Sequence, residues 1–258
     1  MDPVSRTAAS PPLTQSALEA RACAEKWDKF AQNDAQRYIW TIRQGNDPQE
    51  FWQSGEHTVA REFLPLIRAY HVRPALSLEL GCGVGRLAFP LARHFQHVLG
   101  LDVSRSMIQQ AISAATEKRV TNVAFCAIAG PEDFVRLATG SPTRFDFIYS
   151  LLVFQHVPDL STIAGYLFVI RTLLHPRGLA YLQFDTRPPE LSYRLKMRLP
   201  DFLLPRFWRR GIRRIRRSPQ EIESCIRRAG LEIVAQLTPR TAYHRYILRV
   251  PPTSGISS

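Results

Sequence analysis

The stretch Glu79-Leu80-Gly81-Cys82-Gly83-Val84-Gly85-Arg86 decides how this chain folds. It closes the apolar run Ala75–Leu80, which reads as a strand, and opens Arg86–Phe95, which reads as a helix. Glycines at such a junction let the backbone turn tightly and approach a ligand, while the first N–H groups of the helix point into the crevice. Asp102 lies 21 residues after Gly81, just past a second strand-like run, Val98–Leu101. A carboxylate at that place accepts hydrogen bonds from ribose hydroxyls. Loop and acid together imply a cofactor that contains adenosine. A dinucleotide fingerprint of the GxGxxG type would want glycine or alanine at position 86, where this chain has Arg86, and its third glycine comes one residue early.

Outward from the loop, β-type and α-type segments alternate. Ser104–Lys118 reads as a helix with Ser104 as N-cap, Val123–Ile128 as a strand and Glu132–Ala138 as a short helix. Phe145–Leu152 is a further strand, and the helix Leu160–Leu174 is stopped by His175-Pro176-Arg177-Gly178. Leu179–Phe184 follows as a strand, then a helix opened by Ser218-Pro219 and running to Arg228. Leu231–Leu237 and Tyr243–Val250 have no helix between them and predict a hairpin. The expected fold is α/β: a mostly parallel sheet with one antiparallel strand and helices on both faces. Residues 1–16, rich in Ser, Pro, Thr and Ala, read as a disordered tail. Residues 17–71 are helical in pattern and aromatic, with Trp27, Phe30, Tyr38, Trp40, Phe51, Trp52 and Phe63, and read as a lid, with packing of the first helices onto the sheet as the alternative. Residues 72–250 make the main domain, with a basic insertion at 185–217.

The GxGxG spacing preceded by an acid resembles motif I of the class I, seven-stranded, Rossmann-like S-adenosylmethionine-dependent methyltransferases. The resemblance extends to Gly100-Leu101-Asp102-Val103-Ser104 with Met107, and to Phe145–Ser150 followed by Gln155-His156-Val157-Pro158-Asp159. It continues through Leu173-Leu174-His175-Pro176-Arg177-Gly178 and Arg227-Arg228-Ala229-Gly230-Leu231, in the family's order. The resemblance implies S-adenosyl-L-methionine as cofactor. Gly81, Cys82, Gly83 and Gly85 would then border its methionine part and ribose, and Glu79 would anchor the amino group. Asp102 would hold the ribose hydroxyls, with Val103 and Met107 along the adenine. The acid that the family often carries after the third strand is out of register in Ile128-Ala129-Gly130-Pro131-Glu132-Asp133, which leaves backbone groups, Glu132 or Asp133 to read the adenine. Plainer roles stand beside these: packing for Cys82 and Met107, loop-amide satisfaction for Glu79, helix capping for Asp102.

A sulfonium methyl is already activated, so such a site needs an aligned nucleophile and, for hydroxyl acceptors, a general base. His156, just past the fourth strand, falls at the carboxyl edge of the sheet and is the candidate base, with a structural role as the alternative. The loop after that strand lacks the Asn/Asp-Pro-Pro-Tyr/Phe motif of base-amino methylation and the Pro-Cys of cytosine-carbon methylation. The carboxylate cluster of magnesium-dependent catechol enzymes is absent too, and no metal is expected. A small-molecule or lipid-like acceptor is favoured, with O-methylation ahead of N- or C-methylation. An RNA methyltransferase and a non-catalytic cofactor-binding protein are the alternatives.

Composition narrows the setting. The start, Met1-Asp2-Pro3, is acidic where a signal peptide would be basic, and the most apolar stretch, Leu160–Ile170, falls short of the ~18 residues of a membrane span. Four scattered cysteines form no CxxC pair, which fits reduced thiols in a cytoplasm. The formal charge is +12, but Arg187–Arg217 alone carries +9 of it. Within Pro205–Arg217, Trp208, Ile212 and Ile215 recur at helical spacing among arginines, predicting a basic amphipathic helix. It reads as a peripheral contact with anionic membrane, as an anion-binding lid, or as a solvated helix docked by its apolar stripe. Nucleic acid is the least favoured partner.

Overall fold

The computed structural model describes residues 15–39, 48–130, 133–136, 143–204 and 214–252. Positions 1–14 of the expected tail lie outside these residues, and helix α1 (Gln15–Ile39) takes in its last two, which were read as disordered. α1 breaks at Asp34, whose backbone is extended inside an otherwise helical run. α2 (Pro48–Thr58) continues through a π-helical turn, Val59–Phe63, into α3 (Leu64–Ala69).

The sheet has seven strands in the order β3-β2-β1-β4-β5-β7-β6. They are β1 (Leu76–Leu80), β2 (His97–Asp102), β3 (Val123–Ala127), β4 (Phe145–Ser150), β5 (Leu174–Phe184), β6 (Glu232–Leu237) and β7 (His244–Arg249). All neighbours are parallel except β7, which runs against both β5 and β6. The hairpin read from the missing helix before β7 therefore supplies the antiparallel strand. Between the strands lie α4 (Ala88–Ala92), α5 (Arg105–Glu117), α6 (Leu160–Leu173), α7 (Leu191–Arg198) and α8 (Pro219–Arg228). β1 is flanked by β2 and β4, so the chain leaves β1 in one direction and returns on its other side. Crevices at such a switch point, outside the carboxyl ends of the strands, are where ligands bind in open α/β sheets.

Alternation along the strands builds two cores. Ile148, Ala180 and Leu182 face one layer with Ile163, Leu167, Ile170, Ile222 and Ile226 of α6 and α8. Phe147, Tyr149, Leu179 and Tyr181 face the other with Phe63, Ile67 and Leu91. Ser218 caps α8 in a reciprocal capping box with Glu221, with Pro219 in the first turn.

Two expected boundaries change. His175–Gly178 does not form a separate turn: α6 runs straight into β5, where Leu174 pairs Phe145 and Leu179 pairs Phe147, so the residues between bulge from the ladder. α4 is shorter than Arg86–Phe95 because Pro90 has no N–H to give the Arg86 carbonyl. That carbonyl is approached instead by Gly55 of α2, where an added Cβ would stand 2.0 Å from it. Among the described residues no helix is long and apolar enough to cross a membrane.

Candidate active site

The glycine loop is held at the end of β1 by its neighbour β2. The N–H groups of Gly81 and Cys82 both donate to the Leu101 carbonyl, at 2.7 and 3.0 Å. Gly81, Gly83 and Gly85 have φ of +73°, +53° and +88°, values at which a side chain is strained. Space forbids one as well: a Cβ at Gly81 would come 2.2 Å from Val153, and one at Gly83 would come 2.5 Å from Ile39 of α1. Asp102, at the end of β2, clamps the loop from the other side. Its Oδ2 accepts from the Gly83 N–H at 2.8 Å and its Oδ1 from the Ser104 N–H at 2.9 Å. Burial pushes its carboxyl above the usual range, against those backbone hydrogen bonds.

Glu79 is buried behind the loop and accepts a hydrogen bond from the Tyr149 hydroxyl at 3.1 Å. Burial pushes its carboxyl up to about 8, although the Tyr149 hydrogen bond and the nearby Arg86 charge oppose this. Arg86 is itself buried, which lowers its pKa against the attraction of Glu79 and Glu62, and it donates to Ser54 at 3.3 Å. Cys82 is buried with its thiol pushed well up by burial, so its side chain packs and its backbone does the holding. Val103 is half-buried beside Asp102. Met107 is fully buried in a cluster with Ala31, Ala35, Phe51 and Val84, where it joins α1 and α2 to the sheet. Asp133 accepts from the Ala129 N–H at 2.7 Å and pairs with Arg136, so it closes its own loop; Glu132 lies outside the described residues.

Past β4 the chain turns at Leu152, whose φ of +63° is rare for a branched side chain, and enters the short helix Phe154–His156. His156 and the glycine loop thereby stand at the same edge of the sheet, with Val153 packed between them on Gly81. Helix α1 reaches both sides of this crevice. The Trp27 ring meets the His156 ring edge-on at 5.6 Å. The adjacent Asp28 accepts from the Ser104 hydroxyl at 2.6 Å and from the Ser106 N–H at 2.9 Å, at the start of α5. Burial raises the Asp28 carboxyl, but these hydrogen bonds outweigh it and hold the group below its usual range. Ser104 in turn caps α5 by accepting from the Met107 N–H at 3.1 Å.

A family model described as a methyltransferase domain matches residues 78–180, the part of the chain that runs from within β1 into β5. The chain has the class I, Rossmann-like methyltransferase fold. It is 30% identical over 159 residues to the ubiquinone biosynthesis O-methyltransferase of Acinetobacter baylyi, covering 60% of this chain and 63% of that protein. It thus spans a little less than two thirds of that relative. The protein of the same description from Neisseria meningitidis is 27% identical over 204 residues, covering 76% of this chain and 81% of its own. Among solved structures, the magnesium protoporphyrin IX methyltransferase of Synechocystis PCC 6803 with bound SAH shares the fold, with a TM-score of 0.63 at 21% identity. That match covers 89% of this chain and 97% of the other.

Several residues of the candidate site carry no signal in a single sequence. Trp27 and Asp28 lie in a helical run whose spacing does not say which face meets the sheet. Asp185 ends β5, is buried, and binds Arg187 at 2.6 Å; its place at a strand's carboxyl end was the one available clue. The basic segment also differs from expectation. Residues 205–213, with Trp208 and Ile212, lie outside the described residues. Arg214–Arg217 is extended rather than helical and is strapped to the sheet edge: the Ile215 N–H donates to the Gln155 carbonyl and the Arg217 N–H to the Asp185 carbonyl. Arg217 also donates to the Val157 and Pro158 carbonyls, and Arg216 stacks on Tyr193. Internal carbonyls and rings fix these arginines in place, which a helical wheel does not reveal.

Proposed function

We propose that this chain transfers a methyl group from S-adenosyl-L-methionine to a hydroxyl of a small or lipid-like acceptor. The observation that carries the reading is the shared placement of the glycine loop, Asp102 and His156 at one sheet edge, spanned by α1. The residues present fit the cofactor. The three glycines at positive φ let the loop turn tightly at the end of β1, and the Asp102 carboxylate, with about four acceptor sites, uses two on Gly83 and Ser104. The remaining two suit a ribose diol. Gly81, Cys82, Gly83 and Gly85 would border the methionine part and ribose through backbone groups, and Glu79 would face the ammonium. Val103 would flank the adenine, with Met107 behind it in the core.

When bound, the cofactor supplies an electrophilic methyl on a sulfonium. The protein's share is alignment, exclusion of water by α1, and removal of the hydroxyl proton by His156. Incubation with labelled cofactor and a panel of phenols and hydroxylated lipids should yield a labelled product. His156→Ala should lower its formation by about 10²-fold while S-adenosylhomocysteine affinity stays unchanged. An unchanged rate would return His156 to a structural role.

A lipid-like acceptor has support in the segment after β5. Leu191, Leu195 and Leu199 recur along one side of α7, and Leu191 and Phe202 are 74% and 77% exposed. Arg194 and Arg198 are exposed among them. An apolar row edged by cations suits contact with an anionic membrane surface. The protein should then sediment with anionic vesicles at low salt, and Leu191, Leu195 and Phe202 changed together to Ser should abolish this. Absence from the vesicle pellet would leave a soluble acceptor.

A further inference from the structure

Gln155 is buried beside His156, and its amide is gripped from two sides. Arg214 Nε donates to Gln155 Oε1 at 2.9 Å. A guanidinium has donors and no acceptor, so the Gln155 atom that faces it must be the oxygen; chemistry settles the orientation of the amide. Arg214 is not free to turn away. Its Nη2 donates to the Ala242 carbonyl at 2.8 Å, Asp185 Oδ2 stands 3.4 Å from its Nε, and the Tyr243 ring lies 4.9 Å from the guanidinium carbon. The backbone of Gln155 is fixed as well, since its carbonyl accepts from the Ile215 N–H at 2.7 Å.

With its oxygen on Arg214, Gln155 turns its amide nitrogen toward His156, 3.1 Å from Nε2. An amide NH₂ donates only, so Nε2 must accept. The single proton of a neutral imidazole then sits on Nδ1. We infer that Arg214 and Gln155 are positioning residues that hold His156 in the Nδ1–H tautomer, with its basic lone pair on Nε2. The inference deepens the O-methylation reading, on which its catalytic meaning rests. It names Nε2 as the atom that takes the hydroxyl proton: the O–H bond breaks, the proton passes to Nε2, and the electron pair of that bond stays on the oxygen. An imidazolium would set an N–H against the amide N–H, so proton uptake at Nε2 breaks the Gln155–His156 hydrogen bond while the Gln155–Arg214 bond can stay.

The tautomer is read directly by long-range proton–nitrogen NMR on the full chain labelled at histidine, without ligand, above the titration of the ring. His156→Asn identifies the His156 signals among the seven histidines. The wild-type ring should show a protonated Nδ1 and an unprotonated Nε2. Gln155→Glu keeps an oxygen on Arg214 and gives Nε2 an acceptor, so the proton should move to Nε2. Because that change adds a carboxylate near Asp185, Gln155→Met is the second variant. It removes the amide donor and should lower the Nδ1–H population. A wild-type ring protonated at Nε2, or a tautomer that neither substitution moves, overturns the inference. The ligand-free spectrum is independent of turnover, so this result and the His156→Ala activity test can fail separately.

Discussion

Glu79 gives the site a pH dependence whose sign and size follow from its surroundings. Only 4% of the residue is exposed, its hydrogen-bonding partner is Tyr149, and burial pushes its carboxyl from 4.5 up to about 8. Between those two values the folded protein holds a proton that the unfolded chain has released. Stability therefore falls as pH rises; the full contribution is present below 4.5 and is lost through 8. At about 1.4 kcal/mol per unit, the interval is worth on the order of 5 kcal/mol. Glutamine stays neutral throughout and still offers Tyr149 an oxygen. Glu79→Gln should thus gain on the wild type as pH rises, with most of the gain between about pH 5 and about pH 8. Urea denaturation followed by circular dichroism across that range gives the difference directly. Parallel stability curves, or a variant that loses ground with rising pH, would refute the reasoning.

Three further outcomes are expected. Gly55→Ala drives a methyl into the Arg86 carbonyl, which is backbone and cannot swing aside, and should cost about 3 kcal/mol or more in thermal or urea unfolding. Asp28→Ala removes the acceptor for Ser104 and Ser106 and should cost about 1–2 kcal/mol, while limited proteolysis in α1 becomes faster. A stable variant with unchanged cleavage would show that α1 is held by packing alone. Asp102→Ala strands the Gly83 and Ser104 amides and should lower stability by about 1–3 kcal/mol even without cofactor, which the same denaturation assay measures.

What was legible in the sequence is what local chemistry dictates. Three glycines between a strand and a helix have few other uses, and each adopts a positive φ. Ser104 reads as a cap and Ser218-Pro219 as the opening of a helix, and both serines accept from backbone N–H groups three residues on. The hairpin before the C terminus followed from a missing helix. What escaped is set by residues distant in the chain. Asp28 meets Ser104 across 76 positions, and Arg214 meets Gln155 across 59, so no periodicity records either pair. The helical reading of Arg214–Arg217 failed for the same reason: carbonyls of Gln155, Asp185 and Val157 hold that stretch extended against its local preference. Met107 was read on the adenine side or as packing, and its side chain packs with α1 and α2, because apolar spacing on α5 serves packing and ligand alike.

Calorimetric titration with S-adenosylhomocysteine, and separately with NADH, tests the central claim most directly. The account predicts binding of the former and none of the latter, with Asp102→Ala weakening it by about 1–3 kcal/mol, roughly 5- to 150-fold. Binding of NADH without S-adenosylhomocysteine, or an Asp102→Ala variant that still folds and binds as the wild type does, would contradict it.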